Sequence, residues 1–257
     1  MNGSMNSDTI KKLPTLPVDS RRILEYRAVC QKPRRFEEIW SWYVLRRVSI
    51  YVTLILSRTP ITPNGVSWFS LLFFILTGWL MLTGEPWGFL LAVVAYNLGY
   101  LCDCLDGELA RLKKVTSEKG VFLDTLIRAL SIPVFISFVL TLMMQTSGGP
   151  LSLFAASGIY AVGLVATLAL LVPLSFNFIR LKSDENDPVS DMRTSSVKME
   201  WIAFLTGMPG FFALLPVCVG IGAWMGVPAV PFLIIVFLAS LTLKTLLRLY
   251  LTISKLK

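Results

Sequence analysis

Histidine is absent from the sequence of 257 residues, and cysteine is scarce, with 4 residues. The first absence excludes histidine as a general base or metal ligand, and the second excludes a small disulfide-stabilised scaffold. Charge is also low: 16% of the residues are charged and 54% are hydrophobic, against about 25% and about 45–50% in soluble domains. With a mean hydropathy of +0.67, this composition excludes a water-soluble core and a disordered chain and indicates a membrane protein.

Six apolar stretches are long enough to cross a bilayer, since a helix of about 20 residues spans its hydrocarbon core of roughly 30 Å. We place them at about 65–83, 86–110, 121–145, 150–178, 199–225 and 227–252. The predicted fold class is therefore an all-α polytopic membrane protein with six transmembrane helices. Residues 1–35 contain no apolar run, so we expect no cleavable signal peptide, only a basic arm held loosely by anionic lipid.

The segment between the arm and the first span is apolar but interrupted by charges, such as Glu37 and Arg46. It also carries aromatic residues that suit headgroup depth, namely Trp40, Trp42, Tyr43 and Tyr51. We predict an N-terminal interfacial amphipathic helix here, with a seventh, tilted span as the alternative. The predicted divisions are a basic cytosolic arm at 1–35, the interfacial helix at 36–58 and a six-helix transmembrane domain at 59–257.

The positive charges predict how the helices are oriented. The net charge is +8, and Lys and Arg concentrate before span one, between spans two and three, between spans four and five, and after span six. The opposite loops, near 84–86, 145–149 and 226–227, contain neither residue. The positive-inside rule therefore places both termini in the cytosol. This distribution accounts for the basic charge without a nucleic-acid partner, and the plasma membrane of a bacterium or archaeon is the default location.

Carboxylates occur inside two predicted spans, where an ionisable group costs about 2.5–3.5 kcal/mol and needs a partner or a use. Asp103 and Asp106 share one helix face with Gly107 and Ala110, and Asp124 lies about one turn into the next span. Such converging carboxylates suit one or two Mg²⁺ or Mn²⁺ ions. The alternative is pairing of these acids with the interfacial bases Arg111, Lys113 and Lys119.

The order of these residues resembles the signature of the CDP-alcohol phosphotransferases, D-x2-D-G-x2-A-R-x8-G-x3-D-x3-D. The matching residues are Asp103, Asp106, Gly107, Ala110, Arg111, Gly120 and Asp124. The family also often has a T-P-N-x-V-S/T stretch before its first span, and the sequence has a similar stretch at 62–67. The resemblance covers the chain from about residue 36 onwards.

The resemblance implies transfer of a phospho-alcohol group, most often phosphatidyl, from a CDP-linked donor such as CDP-diacylglycerol to an acceptor hydroxyl. CMP is released, and the reaction belongs to phospholipid biosynthesis. In the family, the first and third aspartates, here Asp103 and Asp124, bridge two metal ions, and the second, here Asp106, binds one. The residues that the resemblance assigns to the nucleotide are Gly107, Ala110, Arg111, Ser117, Gly120, Pro63, Asn64 and Ser67.

The sequence departs from the family pattern at the last motif position, where Arg128 replaces aspartate. In the family that carboxylate ligates the second metal and accepts the acceptor's proton, and arginine has no lone pair for either role. Glu108 is the nearest spare carboxylate, but it points about 160° away from Asp106 around the helix. Three interpretations stay open: a fixed cation in place of the second metal, a pair with Asp124 that blocks the site, or a sequence slip or introduced change.

Three function classes follow from these observations. The first is the transferase, acting on an acceptor such as glycerol phosphate, inositol, its phosphate or serine. The second is a non-catalytic relative that binds CDP-lipid and metal. The third is a cation transporter, although the acids cluster at the cytosolic end and no charge continues outwards. The spacing Gly222-x-x-x-Gly226 is compatible with a homodimer.

Overall fold

The computed structural model describes residues 13–34, 37–146, 152–164, 167 and 196–255, and its secondary structure within these ranges is helical. The all-α fold class is thereby confirmed. The helices are α1 (Arg21–Cys30), a π-helical turn (Ser41–Leu45) that continues as α2 (Arg46–Ser57), α3 (Pro63–Met81), α4 (Pro86–Lys113), α5 (Glu118–Ala129), α6 (Ser131–Thr146), α7 (Leu153–Leu164), α8 (Val197–Leu205), α9 (Met208–Met225) and α10 (Ala229–Lys255).

Within the described residues, four helical segments are long and apolar enough to cross a membrane. They are Pro63–Met81, Pro86–Lys113, Lys119–Thr146 and Met208–Met225. Two shorter apolar helices, Leu153–Leu164 and Ala229–Leu241, lie within the fourth and sixth predicted spans. Most of the predicted fourth span, 150–178, lies outside the described residues, so the count of six spans stays a prediction.

The third span consists of two helices that meet at Leu130. Proline at position 133 has no N–H to donate to the carbonyl of Ala129, and its ring crowds that carbonyl. The ladder resumes when the Val134 N–H donates to the Leu130 carbonyl at 3.3 Å. Because of this break, α5 is a short, separate helix, and it carries Asp124.

Aromatic rings fix α4 against the later helices. Tyr96 on α4 stacks on Phe212 with ring centroids 4.2 Å apart, and Phe138 on α6 stacks on Phe211 at 4.3 Å. Phe237 on α10 packs against Phe138 and Phe211. These rings are buried and form the largest apolar cluster. Offset and edge-on ring packing adds about 0.5–1.5 kcal/mol per pair to the burial itself, so α4 has a rigid support.

Part of the basic arm is ordered and tied to the rest of the protein, so the expectation of a loosely held arm is wrong for α1. Arg27 on α1 is fully buried. Its guanidinium donates to the carbonyls of Arg46 at 2.7 Å and Arg47 at 2.8 Å, and it pairs with Asp19 at 2.9 Å. A buried arginine needs hydrogen-bond acceptors for its donors. Here Asp19 in the arm and the two backbone carbonyls in the first turn of α2 supply them.

Residues 41–57 are helical as predicted, but one aromatic residue lies elsewhere than expected. Trp42 is only 7% exposed, and the Arg34 guanidinium lies 5.6 Å from its ring. Tyr43 is 50% exposed, which is compatible with headgroup contact. The position of this helix at a membrane surface stays a prediction.

Candidate active site

A cavity of about 210 Å³ lies between the start of α3, the second half of α4, the start of α5, the first turn of α2 and the segment after α1. Every site residue that the sequence predicts lines it. These residues are Pro63, Asn64, Ser67, Asp103, Asp106, Gly107, Ala110, Arg111, Ser117, Gly120, Asp124 and Arg128. The cavity also has wall residues that the sequence did not predict, namely Lys32, Arg46, Val115, Thr116 and Val121.

Helix starts place two parts of this wall. The side chain of Thr62 accepts the Gly65 N–H at 3.1 Å and begins α3, which directs Asn64 and Ser67 to the cavity. Ser117 similarly accepts the Gly120 N–H at 3.2 Å and begins α5. Serine and threonine are favoured at this position because their oxygen satisfies an N–H that the helix leaves unpaired.

A left-handed residue connects the two helices that carry the carboxylates. Lys114 follows α4 with φ 55° and ψ 38°, and its N–H bonds back to the Arg111 carbonyl at 3.3 Å. This conformation costs a non-glycine residue roughly 1–2 kcal/mol. It lets the chain reverse within a few residues, so that α5 returns beside the end of α4.

The three cavity carboxylates have different surroundings. Asp106 accepts a hydrogen bond from the Ser67 hydroxyl at 2.5 Å, and Asp124 accepts one from Arg128 at 2.9 Å. Oδ1 of Asp103 is buried, and no hydrogen-bond donor among the described residues reaches it. An unpaired buried carboxylate oxygen is costly in a protein interior. Asp103 is therefore the carboxylate most ready to accept a proton, a donor or a cation.

The structure contains the contact between Asp124 and Arg128 that belongs to one of the three interpretations of position 128. Their side chains are 41% and 71% exposed, and they are one helical turn apart on α5. Such an exposed pair contributes little to stability. By contrast, the predicted alternative of interfacial pairing differs from the structure: Arg111 donates to the Cys30 carbonyl, and Lys113 donates to the carbonyls of Thr59 and Ile61.

Basic residues form a second part of the cavity lining, the basic wall. They are Lys32, Arg46 and Arg111. Nε of Arg46 and Nη2 of Arg111 are buried, and neither has an acceptor among the described residues. A Cβ added to Gly107 would lie 3.3 Å from Nη1 of Arg111, so the glycine leaves room for that guanidinium. The cavity is thus lined by both carboxylate and guanidinium side chains.

Glu108 lies outside the cavity wall and is saturated with hydrogen bonds. Its oxygens accept from Gln31 at 3.0 Å, Arg46 at 2.8 Å, Ser49 at 2.6 Å and Thr53 at 2.7 Å. The side chain is 0% exposed. The prediction that Glu108 points away from Asp106 is therefore confirmed, and its contacts assign it to the packing of α1 and α2 on α4.

Charges around this network are mutually compensated. Glu37 contacts Arg46 at 2.9 Å on the side not used by Glu108. Burial alone lowers the pKa of Arg46, but the nearby Cys104, Glu37 and Glu108 raise it well above its ordinary value. Burial, reinforced by Glu108, raises the pKa of the Cys30 thiol to about 11. A raised pKa lowers the fraction of thiolate, the form that acts as a nucleophile.

Lys32 and Arg46 are the functional-site candidates that sequence reasoning missed. Arg46 was recognised only as a charge interrupting an apolar segment, and Lys32 only as part of a basic arm. A signal was present for the arm: Ser20 caps α1 by accepting the Ile23 N–H. The contacts that bring Lys32 and Arg46 to the cavity link residues far apart in sequence, and no local pattern encodes them.

The carboxylates fit a divalent cation in ligand type, because oxygen ligands suit Mg²⁺. The unpaired oxygen of Asp103 is a ready ligand. Within the described ranges, however, no three Asp, Glu, Cys or His side chains are grouped closely enough to hold a metal ion as they stand. Arg128 contacts one oxygen of Asp124, Oδ2, so the ion pair is chemically compatible with a metal contact through the other oxygen.

A comparison with known protein families gives one match. The family model described as CDP-alcohol phosphatidyltransferase matches residues 60–235. The match includes α3, α4, α5 and α6, and thus every residue of the motif. It does not include α1 or α2, from which Arg46 reaches the cavity. No curated protein matches the chain.

Proposed function

Because the chain belongs to the CDP-alcohol phosphatidyltransferase family, whose members transfer a phosphatidyl group from a CDP-alcohol in phospholipid synthesis, we propose that its own donor is CDP-diacylglycerol. The acceptor is a small alcohol or its phosphate, and the product that leaves is CMP. One observation carries this proposal: all residues of the motif line a single cavity whose lining contains both acidic and basic residues.

The acidic residues are proposed to hold one or two Mg²⁺ ions, with Mn²⁺ as the alternative. Asp103, Asp106 and Asp124 would be the ligands. Bound there, the metal would neutralise the donor diphosphate and the charge that develops on the leaving group. The family is generally dependent on a divalent metal, and the unpaired oxygen of Asp103 supports such a ligand role.

The reaction balances as a substitution at phosphorus. The acceptor oxygen forms a bond to the phosphorus that carries the diacylglycerol group. The bond between that phosphorus and the oxygen shared with CMP breaks, and CMP leaves with the electron pair. The protein's part is to hold the two substrates in line, which lowers the barrier by removing translational and rotational freedom. Arg111 suits the diphosphate because its planar donors match phosphate oxygens.

The acceptor's proton needs a destination, since the chain has no histidine and arginine at position 128 has no lone pair. We propose that a phosphate oxygen of the substrate accepts it. In this interpretation Arg128 is a fixed cation close to Asp124 and favours an anionic acceptor. The distance of 2.9 Å between Arg128 and Asp124 supports a cation at this position.

The same ion pair favours a second candidate function. With Asp124 engaged by Arg128, the chain would bind CDP-lipid and metal without completing the transfer. Loss of a general base costs about 10²–10⁴ in rate, which is enough to leave a binding protein with negligible turnover.

Measurement of CMP release separates the two candidates. Purified full-length protein would be given CDP-diacylglycerol, Mg²⁺ and a panel of glycerol phosphate, inositol, inositol phosphate and serine, with EDTA as control. We expect the Arg128→Asp variant to release CMP about 10²–10⁴ times faster than the unaltered chain, which has no carboxylate base at position 128. Turnover by the unaltered chain supports the transferase, whereas turnover only by the variant supports the binding protein. Failure of both proteins to release CMP and to bind CDP would overturn both candidates.

We further propose a multi-pass plasma-membrane protein whose cavity and termini face the cytosol; a homodimer also stays a prediction. The loop at Gly84 would then be external, and the loop at Lys114 cytosolic. In intact cells, an impermeant thiol reagent should label Gly84→Cys and should label Lys114→Cys only after permeabilisation. The reverse pattern would invert the topology.

A further inference from the structure

Two arginines that line the cavity carry buried donors without an acceptor among the described residues. Arg46 is 5% exposed, and its Nε has no acceptor among the described residues. Nη2 of Arg111 is likewise buried and has no acceptor among the described residues. Both residues line the cavity together with Lys32. A buried donor without a partner costs about 1–3 kcal/mol, so this wall is stabilised by any ligand that brings acceptor oxygens.

The orientation of Arg46 is fixed by contacts on its other edges. Nη1 donates to Glu108 at 2.8 Å and to the Cys104 carbonyl at 3.1 Å, and Nη2 donates to Glu37 at 2.9 Å. The guanidinium therefore cannot turn to satisfy Nε within the protein without giving up a buried ion pair. Its remaining donor is held in place before any ligand arrives, which lowers the ordering cost of binding.

Arg111 and Lys32 are positioned by the end of α1. The Cys30 carbonyl accepts Nε of Arg111. The next residue, Gln31, donates to Glu108 at 3.0 Å and to the Arg46 carbonyl at 2.7 Å. Lys32 follows directly and reaches the cavity wall. The segment around residues 30–32 thus connects the two guanidinium groups and adds a mobile ammonium beside them.

We propose that Arg46, Lys32 and the free edge of Arg111 form an anion subsite for a phosphate group. The subsite shares the cavity with Asp103, Asp106 and Asp124, and two of its members precede the residues 60–235 that match the family. The choice between two sources of this phosphate rests on the proposed function. One source is the diphosphate of the donor, and the other is the phosphate of a phosphorylated acceptor.

Binding of inorganic phosphate tests the subsite directly. Full-length protein in detergent would be titrated calorimetrically with phosphate, without Mg²⁺. Lys32→Gln removes one donor at an exposed position, and Arg46→Lys keeps the charge but removes Nε. We expect each change to weaken phosphate binding about 10-fold, because a hydrogen bond to a charged group is worth about 1.5–3 kcal/mol. The matched control is Lys198→Gln, an exposed lysine at the start of α8, which should leave phosphate binding unchanged.

Competition with nucleotides identifies the source. If the subsite holds the donor's phosphate, CDP displaces inorganic phosphate, and the Lys32→Gln change lowers the preference for CDP over CMP. If it holds the acceptor's phosphate, phosphate binds equally well in the presence of CDP, and the change affects inositol phosphate but not inositol in the CMP-release assay. Either pattern supports the subsite.

The proposal is overturned if the unaltered chain does not bind phosphate, or if Lys32→Gln behaves like Lys198→Gln. The result for Arg46→Lys counts only if this variant and the unaltered chain unfold at the same temperature in detergent. If they do not, the result for Lys32→Gln alone decides. Failure of the proposed function has a different result: phosphate binding would depend on Lys32 while neither CDP binding nor CMP release occurs.

Discussion

Two acidic regions of α4, little more than one helical turn apart, differ in how their carboxylates are satisfied. Glu108 accepts four hydrogen bonds, from α2 and from the end of the arm, and has no access to the cavity. Asp103 lines the cavity and has a buried oxygen that no described donor reaches. The comparison teaches that burial of a charge in this helix is not itself a sign of function. The sign is a missing partner.

The two regions also differ in the length of chain that builds them. Asp103, Asp106 and Asp124 come from one helix–turn–helix unit. The partners of Glu108 lie 55 to 77 residues earlier in the chain, on α2 and at the end of the arm. We therefore expect substitutions at the first region to change ligand binding and turnover, and substitutions at the second to change stability.

The largest expected effect is on turnover, at Asp103. The Asp103→Asn change should reduce CMP release by at least about 10³-fold, because several kcal/mol of metal-supplied charge stabilisation is lost. It should not lower the thermal unfolding temperature in detergent, since an amide costs less to bury than an unpaired carboxylate. The assay uses whichever of the unaltered chain and Arg128→Asp is active, with Glu85→Gln as a control. Retained turnover would show that Asp103 is not a ligand.

Stability should respond most strongly at Glu108. The Glu108→Ala change leaves Arg46 with one carboxylate instead of two and removes the acceptor of the Thr53 hydroxyl. The Ser49 hydroxyl keeps only the Arg46 carbonyl, at 3.4 Å. Removal of one partner from a buried ion pair costs about 3–5 kcal/mol. Denaturant titration of the purified protein in detergent measures this loss. A stability equal to that of Glu85→Gln would contradict the structural role of Glu108.

A smaller effect is expected at Gln31, which joins the arm to the same region. Gln31→Leu keeps the volume but removes the donor to Glu108 and to the Arg46 carbonyl. We expect a loss of about 0.5–1.5 kcal/mol, typical of a single hydrogen-bonding side chain. The measurement is the same titration. A loss as large as that of Glu108→Ala would mean that the arm, not α2, holds the network together.

The smallest expected effect is a loosening of the arm at acid pH. Burial alone raises the pKa of Asp19, but hydrogen bonds from Arg27, Tyr51 and the Leu16 N–H outweigh it and lower the pKa below the ordinary value. A lowered folded-state pKa contributes stability that is complete above the unfolded pKa of about 3.9 and is lost as the pH falls through the folded value. Protection of the α1 amides from hydrogen exchange, relative to the intrinsic rate at each pH, should therefore fall below about pH 4, and Asp19→Asn should abolish this pH dependence. An unchanged acid response in that variant would point to another carboxylate.

The cavity was predictable because its residues are close in sequence and follow the helical period. Asp103, Asp106, Gly107 and Ala110 share a face of α4 by their spacing alone. The short turn before α5 brings Asp124 back beside them. Fold class and apolar spans follow from the same local signals, since hydrophobic length and loop charge need no knowledge of tertiary contacts.

The basic wall was not predictable for the converse reason. Whether Arg46 faces lipid headgroups or α4 depends on Glu108, which lies 62 residues later in the chain. The ordered part of the arm depends on Arg27 finding carbonyls on α2. Single residues with distant partners leave no periodic pattern, so the sequence could indicate only a basic arm and an amphipathic segment.

The π-helical turn before α2 makes the chain sensitive to a change in length. Within Ser41–Leu45 the Arg46 N–H bonds to the Ser41 carbonyl, one residue further back than in an α-helix. Deletion of one residue there would give an ordinary α-helical turn, which is the more favourable backbone geometry. It would also rotate the side chain of Arg46 by about 100° relative to Glu37. A one-residue deletion that improves the local helix would thus separate Arg46 from Glu37. The position of Arg46 therefore depends on the length of this segment more than on which residues it contains.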